Sequence, residues 1–540
     1  MTYINITFLI ISAVLCFFSY RKKRCGLKHV SNKAYYLFLF LSIILALFVR
    51  IAKFGSVPFG VNQDEAMAAV DAKALAMYGT DRNGMIYPVH FEAWGFGQMS
   101  VLMSYMMIPF IKLFGFSTVT IRLPSLIISF IALICLYFLC RDVFNRDLAL
   151  VVLFFAAINP WHIIQSRWAL DCNIFPHILI IAIYFLNHGL KRNGKRIFIY
   201  LSMIFFALSM YCYGISIYTA TLFLLISCIY LINSKRIKIT EAIACALIYL
   251  AIAWPFIAVM VINTFSLPSI ETKWFTIPYF ASTIRSSDIL FFSDNFFEQL
   301  LSNITSLLTV LFQAGDDYLA NVVPGFSTMY VFTLPFAIVG FIWLLRTRKG
   351  HVGSTLILFL FAVGIFDGLI TNNVNVNRIN LIFYPIIIMN GIGIYSVIRN
   401  VKFTDIAIEI MFAVTFTLFV CTYFTSYSKD ISENFSSDFQ QAVCEIDKDS
   451  YDKIYITPDV QSKGRWYVSE ILSLYCLDID AKEYQSSDFT SKYIFKNPDE
   501  DSVNGDPDTA YVVSADNCDI FDKDKYDIST FNRYAAVVPK

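Results

Sequence analysis

The sequence predicts an all-α polytopic membrane protein with about 12 transmembrane helices and a small extracytoplasmic α/β domain at its C-terminal end. Composition is the first observation behind this reading. Of 540 residues, 57% are hydrophobic and only 15% are charged, and the mean hydropathy is +0.60. A soluble chain keeps about a quarter of its residues charged. The second observation is the recurrence of apolar runs long enough to cross a bilayer. The third is the placement of the charges, which gather in short basic loops, in outer loops and in the tail.

A crossing helix needs about 20 mostly apolar residues. Such runs lie at 3–19, 34–52, 122–140, 147–165, 174–190, 196–212, 215–233, 240–262, 329–346, 353–370, 380–398 and 403–424. The first run has no basic residue before it and RKKR after it, which reads as an anchor with its N-terminus outside. RKKRCGLK and the loops at 141–146, 191–196, 234–238, 346–351 and 399–402 then all fall inside, as the excess of basic residues in cytoplasmic loops requires. That agreement demands that 99–114 (MSVLMSYMMIPFIKLF) not cross, so it is expected to lie at the membrane surface or to re-enter. The expected organisation is an N-terminal anchor and basic loop (1–33), a membrane domain (34–424) with outer loops 53–121 and 263–328, and an outer domain (425–540). Within the tail, KIYITPDV, TAYVVSA and YAAVVPK read as strands, and WYVSEILSLYCLD reads as a helix.

Net charge is +1, so nothing points to nucleic acid as a partner. The 12 cysteines form no CxxC pair, and most sit in or beside apolar runs. Cys444, Cys476 and Cys518 in the tail are an odd number, which argues against a complete disulfide framework there. NGIGIY around Gly391 reads as helix packing.

The first outer loop holds the strongest candidates for chemistry. Residues 64–78 read as a helix closed by Gly79, with Asp64 and Asp71 on one face and Met67, Val70, Ala74 and Met77 as an apolar stripe suited to lying on a membrane. Asp64 and Glu65 open that helix. A partly desolvated carboxylate there can act as a base, and equally can complement the helix dipole. Arg122, Arg167 and Arg378 lie at outward helix ends, against the usual basic bias. Guanidinium grips phosphate with two parallel hydrogen bonds, whereas a single interfacial arginine also snorkels. Asn372, Asn373, Asn375 and Asn377 beside Arg378 offer amides of the kind that suit sugar hydroxyls.

DEAMAAVDAKALAMYGTDRNGMIYPVHF, FGFSTVTIRLPSLI, INPWHIIQSRWALD and NVNRINLIFYP together resemble the GT-C class of membrane glycosyltransferases. The nearest kinds are bacterial relatives of the protein O-mannosyltransferases and the aminoarabinose transferases of lipid A. The resemblance spans roughly residues 35–400. It implies an enzyme that moves a single sugar from a polyprenyl-phosphate donor to a lipid, cell-surface glycan or protein acceptor on the outer face, by inverting displacement. It assigns Asp64 as the base with Glu65 beside it, Arg378 to the donor phosphate and Arg167 to a structural or phosphate-side place, and the outward Arg122 is taken with them as a donor-phosphate contact. Asp71, His90, Glu92, Asp171, Asn375 and Asn377 become candidate contacts for sugar or acceptor. No cofactor follows, and a divalent metal stays open. The sequence departs from the class at HFEAWGFGQ, which lacks the Lys-Pro-Pro of the aminoarabinose transferases. The YxY pattern keeps Tyr211 and Tyr213 without its basic residue. The competing reading is a transporter, flippase or sensor with an outer domain. A transporter would carry its ionisable groups near mid-membrane, whereas this sequence places them in an outer loop.

Overall fold

The computed structural model describes residues 1–21, 31–95, 97–281, 289–293, 295–312, 319–401, 404–461, 466–503 and 506–540. Among these, nine helices are long and apolar enough to cross a membrane. They are α1 (Thr2–Arg21), α2 (Asn32–Ile51), α5 (Thr118–Val143), α8 (Asp171–Gly189), α10 (Ser216–Asn233), α11 (Ile239–Thr264), α14 (Val352–Ile370), α15 (Phe383–Asn400) and α16 (Thr404–Phe424). Three further apolar runs form shorter helices: α6 (Arg146–Ile158) continued by α7 (Pro160–Gln165), α9 (Ile197–Ser209) and α13 (Leu334–Thr347). The predicted run 147–165 breaks at Asn159-Pro160. Proline cannot extend a helix inward, and the Asn159 side chain caps the next helix through the His162 N–H at 3.0 Å.

The non-crossing segment is α4 (Leu102–Phe114). Its 13 residues reach about 20 Å, short of the roughly 30 Å hydrocarbon core. Helix α3 (Gln63–Tyr78) starts at Asn62, whose side chain accepts the Asp64 N–H, and stops at the left-handed Gly79. Here one expectation needs correcting. Met67, Val70 and Ala74 do not lie on a membrane: all three are buried in the protein, and only Met77 is exposed. Helix α3 is covered by α4 on one side and by the tail on the other, with Ser104 on α4 donating to the Ala68 carbonyl.

The centre of the bundle is α8 and α15, whose apolar windows are 83% and 78% buried against 17% for α1. Glycine permits the closest crossing, between α13 and α15. A Cβ on Gly340 would sit 1.9 Å from the Met389 carbonyl, and one on Gly393 would sit 2.0 Å from the Phe336 carbonyl. Gly391 likewise faces Val152, so the NGIGIY run is a packing surface.

Outside the bundle lie two short hairpins, β1 (Phe91–Glu92) with β2 (Gln98–Met99) and β3 (Ile270–Glu271) with β4 (Thr276–Ile277), and the surface helix α12 (Phe296–Phe312). The tail holds α17 (Ser426–Asn434), α18 (Ser437–Cys444), α19 (Trp466–Cys476) and strands β5 (Lys453–Ile456), β6 (Tyr493–Ile494), β7 (Thr509–Ser514), β8 (Tyr526–Phe531) and β9 (Tyr534–Pro539). The strands form one mixed sheet in the order β6-β5-β7-β9-β8, parallel around β5 and antiparallel through β9. The three strands and the helix read from the tail sequence are all present. The described cysteines are free thiols.

Contacts sort the loops by end. Arg146 meets Asn32, Lys191 and His188 meet Asp142, Arg196 meets Glu241, and Asn400 meets Ser19, so the basic loops gather at one end of the bundle. The predicted basic stretch 21–28 lies outside the described residues from position 22 onward. At the other end Asn5 meets Gly325, Tyr427 meets Leu319, and the first outer loop meets the tail. The basic end is therefore predicted to face the cytoplasm and the tail to face outward. An impermeant thiol reagent on intact cells should label Ser502→Cys and leave Asn193→Cys at the parent protein's background. Outside labelling of Asn193→Cys would reverse the orientation.

Candidate functional site

Two buried arginines shape the first outer loop. Arg122, in the first turns of α5, uses all five of its N–H donors. Its Nε and Nη2 grip Glu65 at 2.7 and 2.8 Å, and the remaining bonds go to the carbonyls of Gly55, Pro58 and Gly60. Glu65 also accepts the Ala169 N–H at 2.8 Å, and both members of the pair are fully buried. Arg167, between α7 and α8, spends its donors on the carbonyls of Val49, Arg50, Ala52, Lys53 and Val57. It thereby satisfies carbonyls that the end of α2 leaves without intrahelical partners. Tyr423 and Phe424 of α16 stack on its guanidinium at 5.5 and 5.2 Å.

These geometries correct two assignments, Glu65 and Arg122, and turn a third, Arg167, to its structural alternative. Glu65 is not available as a base, because its carboxylate is locked in a bidentate pair. Arg122 and Arg167 do not present donors to a phosphate, because protein carbonyls and Glu65 consume them. Burial forced this outcome, since a buried guanidinium must find its partners within the chain.

Asp64 differs from its neighbours. Of the three carboxylates on α3, Glu65 and Asp71 are fully buried, whereas Asp64 is half-buried. The Trp94 indole N–H donates to its Oδ1 at 2.6 Å. Asp171, at the start of α8, accepts its own next backbone N–H, from Cys172, at 2.6 Å. The Cys172 side chain lies within electrostatic reach of both Asp171 and Asp64. The Cys172 carbonyl in turn accepts from Asn380 at 3.0 Å, which brings the 371–380 segment to the same place.

Arg378 sits half-exposed on that segment and donates to the Asn372 carbonyl. Asn375 is turned to local use: its Oδ1 accepts the Arg378 N–H at 3.1 Å, fixing the turn. Asn377 Oδ1 is buried with no hydrogen-bond partner among the described residues.

Asp71 leaves the Asp64 side of α3 for Arg82, with Oδ2 2.5 Å from its Nη1. Burial works against the Arg82 charge, but Asp71 together with Tyr484, Asp81 and Glu470 outweighs it and holds the guanidinium above its usual range. Burial and then the Asp71 charge push the nearby Asp81 carboxyl up to about 7. His90 packs edge-on against Phe256 and Phe280, and burial lowers its pKa to about 4. It is a neutral core residue remote in role from the site expected of it. Glu92 is exposed on the strand that leads to Trp94.

Two features escaped the sequence reading. The first is Trp94, which bonds Asp64 and also packs on Tyr467 of the tail at 5.5 Å. Gly95 permits this approach: it has φ +69°, and a Cβ there would lie 2.4 Å from the Tyr467 ring. The second is a buried polar chain. Arg50 Nη2 donates to His162 Nδ1 at 3.0 Å, so His162 carries its proton on Nε2 and donates to the Tyr384 hydroxyl at 3.2 Å. Tyr384 then donates to His177 Nδ1 at 2.7 Å. The chain ties α2, α7, α15 and α8 together. Among the described residues, no three His, Cys, Asp or Glu side chains gather as a metal-binding set.

The tail closes over α3 through specific contacts. Lys73 pairs with Asp478 at 2.6 Å, Tyr78 donates to Asp480 at 2.7 Å, and Gln440 makes two 2.9 Å bonds with the Val61 backbone. Removing one member of the buried Glu65–Arg122 pair is predicted to destabilise the protein by about 3–5 kcal/mol, the cost of stranding a buried charge. Arg122→Ala should therefore lower the melting temperature or the yield of folded protein sharply. An Arg122→Ala variant that melts like the wild type would refute this.

Residues 99–261 match the family described as dolichyl-phosphate-mannose-protein mannosyltransferase. Against curated protein sequences the chain finds no match. Among solved structures, it is similar to ArnT from Cupriavidus metallidurans bound to undecaprenyl phosphate, at 11% identity and a TM-score of 0.55, over 94% of this chain and 98% of that one. The apo form of the same ArnT matches at 11% identity and a TM-score of 0.54, over 93% of this chain and 97% of that one. Such low identity speaks for the fold alone, and the likeness read from the sequence stands: the chain is similar to the dolichyl-phosphate-mannose-protein mannosyltransferase family over residues 99–261 and to ArnT in architecture.

Proposed function

We propose that this glycosyltransferase moves one sugar from a polyprenyl-phosphate donor to an acceptor hydroxyl at the tail end of the bundle, with Asp64 as the base. The half-buried state of Asp64, beside neighbours locked in buried ion pairs, is the observation that carries the reading. A carboxylate in that position can accept a proton from a hydroxyl that approaches from solvent. The acceptor oxygen attacks the anomeric carbon, its proton passes to Asp64, and the bond from that carbon to the phosphate oxygen breaks. Polyprenyl phosphate leaves as an anion. Arg378 is the cation assigned to that anion, because it is half-exposed and its segment reaches the Cys172 side of the site through Asn380. Cationic groups placed where charge develops lower the barrier. Arg122 and Arg167 serve the loop rather than the donor. The ArnT structure with undecaprenyl phosphate supports a lipid-phosphate donor for this fold. A site at the tail end of the bundle suits an outward-facing acceptor lipid, glycan or protein.

Asp64→Asn should fold and bind donor normally and lose roughly a hundredfold or more in transfer rate, the scale of a lost general base. Near-normal transfer would remove Asp64 from the mechanism. Trp94→Phe deletes the hydrogen bond to the charged carboxylate, so the acid limb of the pH–rate profile should move to higher pH. An unmoved limb would make Trp94 a packing residue only.

Arg378→Lys keeps the charge and loses the fork, so it should retain partial activity, while Arg378→Ala should lose donor affinity as well as rate. Binding of a polyprenyl-phosphate sugar to purified, folded Arg378→Ala decides this. Wild-type affinity there would overturn the phosphate assignment.

A further inference from the structure

At the basic end of the bundle, opposite the site just described, the structure forms a second polar cavity of about 240 Å³. Its walls come from the ends of α5 and α8, the loop after α8, the turn after α10 and the start of α14. The charges lining it are unbalanced. Asp142 is the only carboxylate among the lining residues, and both of its oxygens are already taken, by His188 Nδ1 and Lys191 Nζ, each at 2.8 Å. Arg192 and Arg236 also line the cavity, and among the described residues neither guanidinium has a hydrogen bond or ion pair.

Two further features point at the same space. Helix α14 begins there with Val352 and Gly353, and its cap residue His351 makes no side-chain hydrogen bond to the first turn. The N–H groups of a 19-residue helix start, with the positive end of its dipole, therefore face a cavity already rich in cations. Asn187 is 6% exposed, lines the cavity, and has no side-chain hydrogen-bond partner among the described residues. Its amide reaches into the cavity, where an acceptor oxygen would pair with its donors. Gly353 makes the geometry: a Cβ there would lie 2.8 Å from Asn187 Oδ1, so only glycine lets the helix start approach the amide this closely.

We infer that this cavity binds a phosphate-bearing anion, held by Arg192, Arg236, the Asn187 amide and the N-terminus of α14. The excess of basic residues at the cytoplasmic end of membrane proteins explains cations there, but not an uncapped helix start and the amide of a nearly buried asparagine directed at one cavity. Phosphate matches both the guanidinium pair and the helix terminus. An anionic lipid headgroup and free phosphate share this chemistry, and basic pockets between membrane helices commonly take such headgroups.

The test uses the full chain in detergent at constant ionic strength. Its thermal melting is followed with inorganic phosphate against chloride, and separately in nanodiscs of phosphatidylglycerol against phosphatidylcholine. The wild type should be stabilised saturably by phosphate, by phosphatidylglycerol or by both. A response to the lipid alone assigns the headgroup, and a response to phosphate alone assigns the free ion. Arg192→Gln with Arg236→Gln, both exposed and with no side-chain hydrogen bond among the described residues to lose, should weaken the apparent affinity at least tenfold. Lys235→Gln, an adjacent basic residue that does not line the cavity, should leave it unchanged. No response in the wild type, or an equal loss in Lys235→Gln, would overturn the proposal.

Discussion

Two guanidinium groups buried away from water govern the outer half of this molecule. Arg122 and Arg167 cannot be solvated, so each must use every donor on the protein, and the acceptors they find are the carbonyls of residues 49–60 together with Glu65. That stretch is where the chain leaves α2. Its path is irregular and short of backbone partners of its own. The arginines replace those partners, and in doing so they fix where α3 begins and where Asp64 stands. A change at either arginine reaches Asp64 without touching it.

The tail completes the arrangement from the other side. Trp94 lies between Asp64 and Tyr467, so a domain outside the bundle contributes to the surroundings of the proposed base. Lys73, Tyr78 and Val61 are held by tail residues as well. Salt bridges this exposed contribute little individually, and the closely packed Gly95–Tyr467 contact with the Gln440 backbone pair carries more of the attachment. The tail thus reaches the surroundings of the proposed base through packing.

Much of the fold was legible because the bilayer imposes it: an apolar run of given length has few options, and every such run is helical, with 147–165 broken in two at Asn159-Pro160. Gly79 and the NGIGIY glycines announced a stop and a close crossing through local chemistry that tertiary context did not alter. The site was less legible. The first-loop carboxylates could be found but not separated, since only the partner of each decides whether it is buried and paired, as Glu65 and Asp71 are, or half-exposed, as Asp64 is. The Met67–Val70–Ala74 stripe read as a membrane face because the sequence carries no sign of the tail that covers it. Arg122 and Arg167 looked outward by position along the chain, yet their side chains turn inward to carbonyls distant in sequence. Trp94 and the Arg50–His162–Tyr384–His177 chain depend on contacts between segments far apart, which no local pattern encodes.

The account rests on direct displacement by one carboxylate base. The stereochemistry of transfer tests that claim most directly, read by nuclear magnetic resonance of the anomeric proton in donor and product. A single displacement assisted by Asp64 predicts that the anomeric configuration inverts between the polyprenyl-phosphate sugar and the product. Retention would require a covalent intermediate and a second carboxylate in a nucleophilic role, and would contradict the account.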